Sequence, residues 1–348
     1  MLKWSDIYIF PILRVLNFPI LVKKFVEKAT RLWYNISINA PFSSADYIII
    51  MKQEGTMFTD IFGNKRFKIN LHMHTTLSDG DKTPLEAAKL YKDAGYDAIA
   101  ITDHWVFGEE RELEGLKVFS GAEYDFGADT VGDRIYHITA LFCKRDPMVE
   151  RTDTVEAGIA KIIAAEGIPV LAHPAWSLNM PHEAVELDGI EFTEIYNTIS
   201  GVNNSFRPYS GMFVDLAACL RKPMLLIAAD DTHYYTTDGP VASVMVKADS
   251  LDRDAIVSAL RSGDFYSTTG PEVHAWFEDG ETVVRCSDAV KVEVHTNSPY
   301  IRGRRKDGEG ITEHRAPLSK IDRYVRVEVT DAQGRVGFTN FLIRDIGK

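Results

Sequence analysis

The sequence contains few cysteines and none of several class-defining patterns. Cys143, Cys219 and Cys286 are far apart, odd in number and in no Cys-x-x-Cys arrangement. This usage excludes a disulfide-rich scaffold and favours reduced thiols in a cytoplasm-like compartment. No internal repeat, low-complexity tract or Gly-x-x-x-x-Gly-Lys-(Ser/Thr) phosphate loop is present, so neither a repeat protein nor a P-loop nucleotide-binding protein is indicated.

Positive charge is also scarce. The 348 residues include 39 Lys and Arg against 50 Asp and Glu, which gives a formal net charge of −11 at pH 7. Since affinity for a phosphate backbone comes mainly from clustered Lys and Arg, this balance argues against stable nucleic-acid binding. With 45% hydrophobic and 26% charged residues, the composition is that of a soluble globular protein with room for one large domain and a smaller one.

Residues 1–56 differ from the rest because they are both basic and apolar. A bilayer-spanning helix needs about 20 apolar residues, but Arg14, Pro11 and Pro19 interrupt the apolar run. No small-residue cleavage site follows, as a secretory signal would require. Two alternatives are a basic amphipathic surface helix, which contacts a membrane or covers the main domain, and an upstream extension of the reading frame with Met51 or Met57 as the functional start.

Residues 57–268 alternate between apolar strands and capped helices. Thr83-Pro84-Leu85-Glu86 is a capping box with Pro at the first helical position, and it follows an expected strand over 67–72. Strands that alternate with helices indicate parallel pairing, and about seven such units favour closure as a β/α barrel. Residues 269–348 instead form short alternating strands separated by turn residues, which predicts a small antiparallel β domain.

Candidate metal ligands cluster at the ends of the expected strands. In the run Ile69–Gly80, His72 and His74 alternate with apolar residues, so both imidazoles point to the same side of a strand. The full candidate set is His72, His74, Asp79, His104, Glu123, His137, His173, Asp231 and His233. Each alone has an ordinary structural explanation, such as a turn for Asp79. Six imidazoles and three carboxylates at strand ends together indicate a centre for Zn, Mn or Fe.

These motifs resemble those of the PHP (polymerase and histidinol phosphatase) superfamily. The matching stretches are His72-Met73-His74-Thr75, Ser78-Asp79-Gly80, Thr102-Asp103-His104, Gly121-Ala122-Glu123, Tyr136-His137, Ala172-His173-Pro174 and Asp231-Thr232-His233. The resemblance implies a distorted seven-stranded β/α barrel with up to three divalent cations. It places His72, His74, Glu123 and Asp231 around the first metal; Glu123, His137 and His173 around the second; and Asp79, His104 and His233 around the third.

The same resemblance implies a hydrolase in which metal-bound hydroxide cleaves a small phosphoester, a nucleotide or a phosphorylated metabolite. Glu123, Asp231 and His233 would be the catalytic residues, and Asp230 would orient a ligand. The C-terminal region resembles the carbaryl-hydrolase-like PHP metallohydrolases, which keeps a carboxyl or carbamate ester open as the substrate. A catalytically silent metal-binding module is a third alternative, although no candidate ligand is missing.

Three basic residues are candidates for contact with an anionic substrate: Arg134, Lys144 and Arg207 lie in expected loops. Surface ion pairs explain each of them equally well. We expect a small-molecule phosphoester or ester as the partner, no stable nucleic-acid complex, and a cytoplasmic location with peripheral membrane contact open through residues 1–50.

The composition of the N-terminal region yields a first prediction. Because residues 1–56 supply none of the candidate ligands, a chain that starts at Met57 should fold and bind the same amount of metal as the full chain. Circular dichroism and elemental analysis of the two purified chains measure this. An insoluble or metal-free truncated chain would mean that the segment belongs to the folded core.

Overall fold

The computed structural model describes residues 58–127, 135–202 and 205–344. The basic N-terminal segment and Arg134 lie outside these residues. None of the helices in the described ranges is both long and apolar enough to cross a membrane. The three cysteines are free thiols, and two of them, Cys143 and Cys286, are buried.

Two of the described helices begin at residues that the sequence marks as caps. Thr83 and Glu86 form a reciprocal capping box at the first helix, as predicted, and Thr154 caps the second through the Ala157 amide. The described helices are α1 (Pro84–Asp93), α2 (Val155–Ala164), α3 (Pro181–Ala184), α4 (Gly211–Cys219) and α5 (Arg253–Arg261), with a short 3₁₀ turn at Ile199–Gly201.

Most of the described strands are short, and the two longest, Glu281–Thr296 and Arg305–Pro317, lie in the last third of the chain. The described strands are β1 (Phe58–Thr59), β2 (Lys65–Asn70), β3 (Ala98–Ala100), β4 (Arg111–Leu113), β5 (Leu116–Phe119), β6 (Gly121–Phe126), β7 (Tyr136–Leu141), β8 (Ile168–Leu171), β9 (Phe192–Asn197), β10 (Leu225–Ala229), β11 (Ser243–Val246), β12 (Phe265–Thr268), β13 (Val273–Glu278), β14 (Glu281–Thr296), β15 (Arg305–Pro317), β16 (Tyr324–Thr330), β17 (Val336–Phe338) and β18 (Leu342–Ile343).

These strands form two sheets in a mixed α/β fold. The larger, 13-stranded sheet runs in the order β13-β14-β16-β17-β12-β11-β2-β3-β5-β4, with β1, β15 and β18 paired at its side. The smaller sheet has five strands in the order β10-β9-β8-β7-β6. The neighbours β2, β3 and β5 are parallel, and so are β8, β9 and β10. Helix α5 packs through Ile256 and Leu260 on the apolar cluster beneath β2 and β11.

The expected closed barrel of parallel strands is not found. Among the described strands, no continuous ladder joins the two sheets, and β7 is antiparallel to both β6 and β8. Only Ser120 separates β5 from β6, so the chain changes sheets at a sharp corner. A Cβ on Gly121 would lie 2.6 Å from the Ile101 carbonyl oxygen, which shows how closely the backbones pass there. The sequence prediction missed this corner because hydrophobic periodicity does not record a change of sheet within one continuous strand-like run.

The C-terminal strands continue the larger sheet. The predicted boundary near residue 268 falls between β12 and β13, and β17 returns from the end of the chain to pair with β12. Strands β13 to β16 are antiparallel, as predicted, and contribute Val284, Val292 and Val327 to an apolar cluster that also includes Met245 of β11 and Tyr266 of β12.

A buried charged network fastens β16 to helix α4. The Arg326 guanidinium is almost fully buried, donates to Asp215 at 2.7 Å and also contacts Glu328. Tyr209 donates to the same Glu328 carboxylate. Burial opposes ionisation of Glu328, yet Arg326 and His295 keep the pKa of its carboxyl below its ordinary value.

This network yields a prediction about stability. Arg326→Met removes the cation and leaves buried carboxylate charge unpaired, so the free energy of unfolding should fall by about 3 kcal/mol or more. Arg285→Met is the matched control, because Arg285 pairs with Glu313 at 2.9 Å on the exposed surface, where loss of a pair costs about 1 kcal/mol or less. Denaturant titration measures both. Equal losses for the two variants would contradict a structural role for the network.

Candidate metal centre

His72 and His74 lie just beyond the end of β2, where the chain stays extended. The Asp231 amide donates to the His72 carbonyl at 2.8 Å, and the His74 amide donates to the Thr232 carbonyl at 2.9 Å. The Met73 side chain enters the core on the opposite face. Both imidazoles therefore point to the same side, as the alternation predicts, and both are completely buried.

Isolated bridges bring the two sheets together at this point. Met73 pairs with Thr232 beyond β10, and His104 beyond β3 pairs with Glu123 on β6. The segments that follow β2 and β3 in one sheet thus meet β6 and the segment after β10 in the other. This meeting places candidate ligands from distant parts of the chain side by side.

The first group consists of four buried side chains whose ligand atoms face one point. His72 Nε2 lies 3.2 Å from His74 Nε2, and each nitrogen lies within 3.2 Å of Glu123 Oε2 and of Asp231 Oδ1. Ligand atoms at about 2.0–2.1 Å from a tetrahedral Zn²⁺ are separated from each other by about 3.3–3.4 Å. The spacing of these atoms therefore fits a single divalent cation among them.

The second group shares Glu123 with the first. Glu123 Oε1 lies 2.9 Å from His137 Nδ1 and 3.3 Å from His173 Nε2. The other carboxylate oxygen, Oε2, faces His72 and His74. One carboxylate thus presents an oxygen to each group, which is the geometry of a bridging ligand.

The third group is the most exposed of the three. Asp79 Oδ2 lies 3.5 Å from His233 Nε2 and 3.9 Å from His104 Nε2, and the Asp79 side chain is 54% exposed. His74 also belongs to this group, because its Nδ1 lies 3.5 Å from Asp79 Oδ1. His74 therefore borders two groups, whereas the sequence analysis assigned it to one.

Two orphaned atoms support a cation rather than a hydrogen-bonded network. Asp231 Oδ1 and His104 Nδ1 are buried and have no hydrogen-bond partner. Asp231 Oδ1 nevertheless has two imidazole nitrogens within 3.2 Å. Nitrogen and oxygen atoms that approach so closely without a hydrogen-bonding geometry are arranged around a common centre, as metal ligands are.

The buried charges of the site raise the pKa of an imidazole and lower the pKa values of the carboxyls. Burial disfavours the imidazolium form of His74, but Asp231 and Glu123 outweigh it and raise its pKa to about 9. Burial also opposes ionisation of Glu123 and Asp231, yet neighbouring imidazoles, His72 foremost, hold the pKa of both carboxyls below their ordinary values. A divalent cation must displace the imidazole protons, so its affinity should fall as the pH drops.

A buried residue that sequence reasoning missed orients two of the ligands. Glu194 on β9 accepts from His72 Nδ1 at 2.7 Å, from the His173 amide at 2.9 Å and from Asn197 Nδ2 at 2.7 Å. The proton on His72 Nδ1 leaves the Nε2 lone pair free to face the first group. Asn197 also donates to Asp231 Oδ2 at 3.1 Å. The only signal in the sequence was a carboxylate within an apolar strand.

Asp103 and Asp230 have structural roles near the site. Asp103 accepts from the Thr75 amide at 2.6 Å and from the Ser78 hydroxyl at 2.9 Å, which holds the loop that carries Asp79. Asp230 accepts from Tyr91, Thr198 and the Ala242 amide. These contacts fasten the segment after β10, so the expectation that Asp230 orients a ligand is not met by its hydrogen bonds.

Two candidate ligands adopt a positive-φ backbone conformation, which is uncommon for residues other than glycine. Asp231 has a φ of 54° and His173 a φ of 26°. Such strain persists only where the surrounding contacts impose it, and it is concentrated at functional sites. In both residues the turn follows directly on a buried strand, β10 or β8, and directs the side chain toward the ligand groups.

The ligand groups form the floor of an open cavity of about 380 Å³. The candidate ligands that line it are Asp79, His104, Glu123, His137, His173, Asp231 and His233. The walls are formed by Trp176, Ile199, Ser200, Val202, Ser205 and Tyr234. The groups that hold a cation are therefore accessible to a small molecule from one side.

Two of the three cationic residues proposed for substrate contact, Lys144 and Arg207, do not line the described cavity. His137 lies at the start of β7 and Lys144 lies beyond the end of that strand. Because β7 runs antiparallel to β6, it carries the chain away from the site, and Lys144 pairs there with Glu166 at 2.7 Å. Arg207 is exposed, and only its backbone bonds to a lining residue, Ser200. Arg134 lies outside the described residues.

Two further groups of potential ligands are already neutralised by arginine. In the group of Asp60, Glu272 and His274, Arg66 pairs with Asp60 at 2.8 Å. In the group of Glu293, His295 and Glu328, Arg326 contacts Glu328. A guanidinium beside the carboxylate opposes a second cation, so these groups are ion pairs of the fold.

The position of Glu194 yields a prediction about metal affinity. Glu194→Gln replaces one acceptor oxygen by an NH₂ group that faces donors, so the affinity for Zn²⁺ should fall about 10- to 100-fold. Glu191→Gln is the control, since Glu191 lies on the surface and pairs with Arg261. Competition with a chromogenic chelator measures both affinities. Unchanged binding in Glu194→Gln would mean that it does not orient the ligands.

No protein-family model and no curated protein sequence matches the chain. Among solved structures it is similar to a two-domain protein from Bacteroides vulgatus that contains a predicted PHP-like metal-dependent phosphoesterase, with 15% identity, a TM-score of 0.49, and coverage of 82% of this chain and 98% of that one.

Two further structures are similar over about half of this chain. One is named as a metal-dependent phosphoesterase from Bifidobacterium adolescentis, with 16% identity, a TM-score of 0.36, and coverage of 56% of this chain and 95% of that one. The other is an amidohydrolase from Chromobacterium violaceum with bound sulfate, with 17% identity, a TM-score of 0.36, and coverage of 49% and 89%.

Proposed function

We propose that this protein is a metal-dependent hydrolase that cleaves a small phosphoester. The observation that carries the proposal is the convergence of three ligand groups, joined by Glu123 and His74, on the floor of one open cavity. A phosphoester brings two or more anionic oxygens to the site where it reacts. Several adjacent cations neutralise such a group better than one, which favours this substrate class.

The donor set indicates which metals would bind. The nine side chains offer imidazole nitrogens and carboxylate oxygens without a thiolate, a mixture that suits Zn, Mn or Fe. His72, His74, Glu123 and Asp231 would hold one cation, and Glu123, His137 and His173 a second. Asp79, His104 and His233 would hold a third at the exposed rim.

The bound cations would lower the pKa of water toward neutrality and stabilise charge on the attacking and leaving oxygens. The chain's own residues fix the positions at which this happens. Glu123 keeps two groups at a set distance, since its carboxylate faces both. His233 donates from Nδ1 to the Asp231 carbonyl at 2.8 Å, which leaves Nε2 to face Asp79.

The leaving group would take its proton from solvent. Every histidine and carboxylate among the described lining residues belongs to one of the three ligand groups. No such side chain is therefore left in the described lining to act as a general acid. The cavity is open to water on one side, which provides the alternative donor.

A carboxyl or carbamate ester is the second candidate substrate. The observation in its favour is that none of the lining residues that the structure describes is lysine or arginine. Phosphate oxygens in proteins are frequently bound by Arg or Lys, whereas an uncharged ester does not require them. For a phosphoester substrate, the bound cations alone would neutralise the phosphate oxygens.

The proposal predicts metal-dependent turnover of a small phosphoester such as p-nitrophenyl phosphate. Chelation should abolish it, and His74→Ala should lower kcat by about 100-fold or more, because His74 borders two ligand groups. In H₂¹⁸O one labelled oxygen should appear in each phosphate released. Phosphate release and mass spectrometry measure these results.

His182→Ala is the control variant, since His182 lies on α3 and outside the ligand groups. Its activity should equal that of the unmodified protein. Turnover of carboxyl or carbamate esters, with no phosphoester cleaved under Zn²⁺, Mn²⁺ or Fe²⁺, would overturn the substrate class and leave the metal centre in place.

A further inference from the structure

The walls of the cavity above the metal centre differ chemically from its floor. Four wall residues with large apolar parts line the cavity: Trp176, Ile199, Val202 and Tyr234. The Trp176 ring lies edge-on to His173 at 5.0 Å and to His137 at 5.6 Å between centroids. A group bound to the second set of ligands would therefore lie next to the indole.

Three polar side-chain groups of the wall form hydrogen bonds within the protein: those of Trp176, Ser200 and Ser205. The Trp176 indole N–H donates to the Ser205 hydroxyl at 2.8 Å. The Ser200 hydroxyl donates to Asn197 Oδ1 at 2.8 Å. These bonds hold the indole and both serine hydroxyls, and the apolar surface that the wall offers to a ligand comes from Trp176, Ile199, Val202 and the Tyr234 ring.

The loops that carry the ligands also expose large apolar side chains. Trp176 is 39% exposed and Tyr234, which follows His233 directly, is 45% exposed. Leu77, between His74 and Asp79, is 53% exposed. Exposed apolar side chains that gather around a cavity indicate binding of an apolar group.

We propose that this cavity binds esters whose leaving group is apolar and ring-sized, with the reacting group on the metal ligands and the leaving group packed between Trp176 and Tyr234. This inference rests on the proposed function and adds the class of the leaving group. A sugar or polyphosphate leaving group would need polar partners or cations. The described lining residues supply no lysine or arginine for it.

Binding of two phosphonates to the full, Zn²⁺-loaded chain tests the inference. Phenylphosphonate and methylphosphonate carry the same reacting group, and neither is hydrolysed, so the comparison excludes differences in leaving-group reactivity. Packing of the phenyl ring should make phenylphosphonate bind about 10-fold tighter than methylphosphonate, which corresponds to about 1.4 kcal/mol. Isothermal titration calorimetry measures both dissociation constants.

Substitutions in the wall identify the side chains that cause the difference in affinity between the two phosphonates. In Trp176→Ala and in Tyr234→Ala the ratio of the two dissociation constants should fall toward 1, while the affinity for methylphosphonate stays unchanged. Tyr300→Ala is the matched control, because Tyr300 is 77% exposed and lies outside the cavity. Zinc content is measured for every variant, so a loss of metal cannot be mistaken for a loss of packing.

The outcomes separate the inference from the function on which it rests. Equal affinity for both phosphonates in the unmodified protein, or a ratio unaffected by both wall variants, would overturn the apolar leaving group and leave the phosphoesterase in place. No binding of either phosphonate to the Zn²⁺-loaded chain would overturn the phosphoester function and the inference with it.

Discussion

The burial of carboxylate charge is the constraint on which the centre of this protein depends. Glu123 and Asp231 are almost fully removed from solvent together with His72 and His74. An isolated buried carboxylate is strongly unfavourable, so its charge must be matched within a few ångströms. Imidazolium protons or divalent cations can do this, and the raised pKa of His74 together with the lowered pKa values of the carboxyls reflects that mutual dependence.

The two sheets are arranged to meet this constraint. Their strands do not join in one continuous ladder, but the bridges Met73–Thr232 and His104–Glu123 join them where the ligands lie. Glu194, from the middle of β9, then fixes His72 and the backbone of His173 at once. A residue in the interior of the smaller sheet therefore fixes two ligands, His72 and His173, that lie in the segments after β2 and β8. Such support is what keeps ligand atoms close enough for one cation.

The cavity combines this charged floor with apolar walls, and the two parts have different tasks. The floor would bind and activate the reacting group through cations, which makes the reaction class a property of the nine ligands. The walls, with Trp176 held in place by Ser205, would determine which molecules enter. Specificity can thus change by substitution of wall residues while the chemistry of the floor is kept.

The sequence by itself determined the local features: the capping box at Thr83, the alternation that places His72 and His74 on one side, and the ligand types. These depend on helix and strand periods, which operate over a few residues. Only the tertiary structure decided the antiparallel course of β7, the open pairing of the two sheets, the position of Lys144 away from the site, and the role of Glu194. Glu194 meets His72 across 122 residues of chain, and such contacts depend on which strands pair, a choice that no local pattern records.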